Sequence, residues 1–84
     1  MTTKPSRANV EAFLRERIVD RTNVDEATLT PSTVLLEIGL QSIDAVLICG
    51  EVEDQFEIEL DPSIMFEFKA LEDVTNAIFK IAES

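Results

Sequence analysis

The stretch Gly39-Leu40-Gln41-Ser42-Ile43-Asp44 combines the residue types and spacing that could do chemistry here. Ser is a preferred helix cap, because its oxygen can accept a bond from an unpaired amide N–H in the first turn. Gly39 provides a flexible approach, and Asp44 puts an acid where the positive end of the helix dipole favours it. The same geometry suits a phosphate ester on the Ser42 hydroxyl, which would lie beside those N–H groups. Read from the residues alone, Ser42 is either a plain cap or an attachment point for a phosphate-linked group.

Other chemistries are poorly supplied. Gly39 and Gly50 are the only glycines, so no Gly-rich phosphate loop exists. The chain has no histidine and one cysteine, which excludes a Ser-His-Asp arrangement and leaves no usual zinc set. The carboxylates lack the spacing and central glycine of a calcium loop, and they read as a solvated face rather than an acid/base pair. The expectation is a protein that is not an enzyme.

The 84 residues suit one domain with one core, spanning residues 1–84 with 1–5 frayed. Seventeen acidic side chains against seven basic ones give a formal charge of −10. Nucleic acid is excluded for want of clustered Lys and Arg, and basic protein surfaces are the natural counterpart. The single Cys49 forbids an internal disulfide and falls on the inner face of a helix, where it reads as a buried structural thiol. No stretch resembles a membrane span or a signal peptide, so the expected location is cytoplasmic and the expected state a monomer.

Hydrophobic spacing then supplies the elements that must position Ser42. Val10, Phe13, Leu14 and Ile18 predict a first helix from a Ser6 cap to about Thr22, followed by a turn at Asn23 and Asp25. Residues 23–41 read as a long loop, pinned by Leu29, Val34, Leu35, Leu36, Ile38 and Leu40 and containing one helical turn. Ala45, Ile48, Cys49, Val52 and Phe56 predict a second helix from Ser42 to about Phe56. Its outer face carries Ile43, Leu47 and Gly50 bordered by Asp44, Glu51 and Asp54. Residues 57–60 read as extended loop. Asp61-Pro62-Ser63 signals a short third helix through Met65 and Phe66, stopping near Phe68. Leu71, Val74, Ile78, Ile81 and Ala82 predict the last helix, with Phe79 at the edge of its stripe. The fold class is all-α, a small four-helix bundle with three longer helices, one short third helix and a long loop between the first two. The expected core is Phe13, Ile48, Val52, Phe56, Phe66, Val74 and Ile78.

Three segments together carry a resemblance: Leu36 to Asp44, Glu51 to Phe56, and Ile58 to Ile81. On these the chain resembles the acyl carrier protein family, including the carrier domains of polyketide and nonribosomal peptide assembly lines. By resemblance, Ser42 carries a covalent 4′-phosphopantetheine arm, attached from coenzyme A by a phosphopantetheinyl transferase, with an acyl or aminoacyl group held as a thioester. Gln41, Ile43, Asp44, Leu47, Glu51 and Asp54 become the docking face for acyl-loading, ketosynthase or condensation, and tailoring enzymes with basic patches. Gln41 and Leu47 depart from the family, which commonly has acids at these positions in its fatty-acid members. The departures favour a specialised polyketide or mixed pathway over fatty acid synthesis. A fatty-acid carrier is the alternative within the family, and a non-covalent acidic helical interaction module the alternative outside it.

Overall fold

The computed structural model describes residues 6–61, 63–67 and 69–83. Four helices follow one another: α1 (Arg7–Thr22), α2 (Ser42–Phe56), the single-turn α3 (Ile64–Glu67) and α4 (Leu71–Glu83). The expected all-α bundle is what forms. Helix α1 packs against both α2 and α4, and α3 packs on α4.

Local chemistry explains the ends of α1. The Ser6 hydroxyl accepts the Asn9 N–H at 3.1 Å, taking up one of the amides left unpaired at a helix start. Asn23 closes the other end in the left-handed conformation (φ 61°), where Asn is more tolerant than most residues, and its N–H donates to the Val19 carbonyl at 2.9 Å.

The core is a run of fully buried aliphatic side chains from three helices. Val10, Leu14 and Ile18 come from α1, Ile48 and Val52 from α2, and Leu71, Val74 and Ile78 from α4. Cys49 is also buried, and its thiol is pushed up to about 11, first by burial and then by the charges of Glu53 and Asp61. It stays protonated at neutral pH and behaves as a small apolar residue. Phe13 and Phe56 are half-buried and meet edge to face with ring centroids 5.6 Å apart.

One expected core residue, Phe66, is misplaced at 37% exposure, and Ile81, expected on the inner stripe of the last helix, is 38% exposed. Helix α3 is one turn long, and its buried face is taken by Ile64 and Met65. Ile81 lies in the last turn of α4, where it borders a surface groove instead of the core.

The long loop between α1 and α2 is ordered by contacts remote in sequence. It contains two 3₁₀ turns where one helical turn was expected, at Glu26–Thr28 and Leu35–Ile38. The Leu71 and Glu72 N–H groups of the first turn of α4 donate to the Thr33 and Pro31 carbonyls at 2.9 and 2.8 Å. Loop backbone thus satisfies amides that the start of a helix leaves unpaired. An isolated antiparallel bridge joins Val34 to Ala70, and the Arg15 guanidinium donates to the Leu29 carbonyl. Leu29, Leu35 and Leu40 are the buried anchors, whereas Leu36 is 52% exposed and anchors nothing. The Asp61 carboxylate accepts the Ser63 N–H at 3.0 Å before α3, as a cap should, while Pro62 and the expected stop at Phe68 lie outside the described residues.

Candidate functional site

Helix α2 begins one residue earlier in its hydrogen bonding than a serine cap requires. The cap residue is Gln41, and Ser42 is the first residue of the helix. The Asp44 carboxylate reaches back to accept the Gln41 N–H at 3.1 Å, one half of a capping box. The first helical bond runs from the Ala45 N–H to the Gln41 carbonyl at 3.0 Å. The capping role expected of Ser42 is therefore performed by its neighbours, because an acid three residues after Gln41 can close the end without a hydroxyl.

This frees the Ser42 side chain. It is exposed, and its hydroxyl makes no hydrogen bond among the described residues. The other described serines are engaged. Ser6 caps α1, Ser32 lies 3.3 Å from the Thr30 hydroxyl, and Ser63 interacts with Asp61. Leu40, buried on one side of Ser42, and Ala45, buried on the other, hold this helix start against the core. Gly39 makes the sharp entry with φ 94°, a left-handed conformation costly to a side chain, although a Cβ there would meet nothing within 4 Å. A phosphate on Ser42 fits such a place: it would lie at the positive end of a 15-residue helix, near N–H groups ahead of the first helical bond.

Downstream of Ser42, α2 presents an apolar face to solvent. Ile43 is 62%, Val46 47% and Leu47 42% exposed. With Gly50 and the exposed Asp54 they fall at helical spacings that share one side. Val46 was not singled out from the sequence, though the spacing of three from Ile43 was the available signal.

Two of the expected docking acids are occupied elsewhere. Asp44 is half-buried with its carboxylate on the Gln41 N–H. Glu51 turns toward α1, where it pairs with Arg17 at 3.1 Å and Arg21 at 3.2 Å. Burial works to raise the Glu51 pKa, but hydrogen bonds from Arg17 and Arg21 outweigh it and hold the carboxyl below the usual range. The Arg17 guanidinium, 5.7 Å from the Phe13 ring centroid, also pairs with Asp20 at 2.7 Å. Glu51 is thus a clamp between α1 and α2 rather than a free surface charge.

A depressed carboxylate pKa contributes stability above the unfolded pKa and loses it as pH falls through the folded one. Glu51→Gln should therefore lower the melting temperature at neutral pH, with the gap from wild type closing below the ordinary glutamate pKa of about 4.3. A gap that stays constant down to acid pH would show that the clamp is not ionic.

The exposed serine at a helix start and the apolar face beside it can be set against known proteins. Residues 12–78 match the phosphopantetheine attachment site (PP-binding) family. The chain belongs to that family, whose covalently attached cofactor is 4′-phosphopantetheine.

Among relatives, it is 31% identical over 67 residues to the non-reducing polyketide synthase atnG of Arthrinium sp, covering 80% of this chain and 3% of that protein. It is 28% identical over 71 residues to the acyl carrier protein of Campylobacter concisus (strain 13826), covering 83% of this chain and 92% of that one. The chain thus spans a small fraction of the synthase and most of the length of the Campylobacter acyl carrier protein.

In fold, it is similar to a free-standing peptidyl carrier protein from a secondary metabolic pathway of Acinetobacter baumannii, with TM-score 0.81, 23% identity, and coverage of 89% of this chain and 94% of that chain. The HMG-ACPI domain of the CurA module from Lyngbya majuscula gives TM-score 0.79 at 14% identity, covering 99% of this chain and 88% of that one. No described helix is long and apolar enough to cross a membrane, and no metal-holding group of His, Cys, Asp or Glu occurs among the described residues.

Proposed function

We propose that Ser42 bears the phosphopantetheine arm and that the protein carries an acyl, ketide or aminoacyl group for a polyketide or mixed polyketide/peptide pathway. The observation that supports this most is the exposed, unpartnered Ser42 hydroxyl at the start of α2. In loading, the Ser42 oxygen gives up its proton and forms the new bond to phosphorus as the pyrophosphate link of coenzyme A breaks and the nucleotide half leaves. The arm supplies a thiol on which cargo is held as a thioester. This chain's residues do the rest: Gln41 and Asp44 fix the helix end, and Ile43, Val46 and Leu47 offer an apolar contact to a transferase or synthase, with Asp54 providing charge. Carriage in fatty acid synthesis is the second reading, supported by the 28% identity to the Campylobacter acyl carrier protein.

Incubation with coenzyme A and a broad-specificity phosphopantetheinyl transferase should add one arm to the intact mass. No gain would favour the non-covalent interaction module.

Leu47 tests the docking face separately. Leu47→Glu should change which partner enzymes accept the protein while shifting stability by no more than about 0.5 kcal/mol, as for other surface positions. A large drop in melting temperature would place Leu47 in the core.

A further inference from the structure

An open groove of about 640 Å³ lies between α3 and α4. Its floor is apolar, from Ile64, Ala77 and Ile81, and its rim carries Asp61, Glu67 and Asp73 against one lining cation, Lys80. Neither Glu67 nor Asp73 is in an ion pair among the described residues. No residue of α2 lines it, so it is separate from Ser42 and the apolar face beside it.

We propose that this groove is a second docking site, for a partner protein's amphipathic helix bearing Lys or Arg along one edge. The occupant follows from complementarity. An uncharged chain would cover the floor but leave Glu67 and Asp73 without a counter-charge from the partner, and a purely basic segment would leave Ile81, 38% exposed, in water. A cationic amphipathic helix satisfies both. A partner seated there leaves Ser42 open, so the domain can be held by one protein while another acts at α2. The inference stands on the groove alone and does not depend on what Ser42 carries.

The test is an amide NMR titration of the protein with a helical Leu/Lys amphipathic peptide. Shift changes should centre on Ile64, Glu67, Asp73, Ala77 and Ile81. The double variant Glu67→Lys with Asp73→Lys alters two exposed side chains and should keep the far-UV circular dichroism of the wild type. It should weaken binding by about tenfold or more through like-charge repulsion. Leu47→Glu should leave binding at the groove unchanged. Shifts confined to Ile43, Val46 and Leu47 would overturn the proposal, as would equal affinity of the double variant. Octanoate moving the groove amides as strongly as the peptide would make it an acyl site instead. The same amides shifting with protein concentration alone would make it a self-association surface.

Discussion

Replacing Ile48 by alanine is expected to remove about 2–5 kcal/mol of folding stability. Ile48 is fully buried on the inner face of α2, in the cluster shared with Leu14 and Ile18 of α1 and Val74 and Ile78 of α4. Truncation loses the transfer energy of the removed carbons and leaves a cavity that three packed helices cannot close without moving. Small domains have total stabilities of about 5–15 kcal/mol, and one of this size belongs at the lower end. The loss is therefore a large share of the whole. Urea unfolding followed by circular dichroism should show the midpoint fall at nearly constant slope. Phe66→Ala is the contrast: exposed on α3, it should cost less than about 1 kcal/mol despite the larger side chain removed. Equal costs at the two positions would contradict the packing described.

The largest functional effect is expected at Ser42. Ser42→Ala should abolish acceptance of the arm completely and leave the melting temperature unchanged. The structural reason is that the cap is built from Gln41 and Asp44, while the Ser42 hydroxyl bonds to none of the described residues. Were serine itself the cap, the substitution would cost about 1 kcal/mol, so a clear fall in melting temperature would reassign its role. A variant that folds like the wild type yet takes no arm would separate function from stability at one position.

Much of this was legible in the residues. The stripe from Ala45 to Phe56 marked α2 from first residue to last, because three turns of consistent spacing leave little freedom in assigning a buried face. Ser6 and Asn23 bounded α1 through local hydrogen bonds that depend only on neighbours. The misplaced details are those decided at a distance or by a single turn. The loop's 3₁₀ turns are fastened by the start of α4, far along the chain, and no local pattern announces that. Phe66 and Ile81 had the right hydrophobicity but sit where one short helix and one final turn leave no second layer to cover them. At the site, serine's general preference for caps masked the Gln41–Asp44 spacing that does the capping. Glu51 looked like one more surface acid until its partners Arg17 and Arg21, on another helix, came into contact with it.

The most direct test of the central claim is to digest the arm-loaded protein and locate the arm by tandem mass spectrometry. The expected result is a single modified peptide with the phosphopantetheine on Ser42. An arm on Ser6, Ser32 or Ser63, or no modified peptide at all, would contradict it.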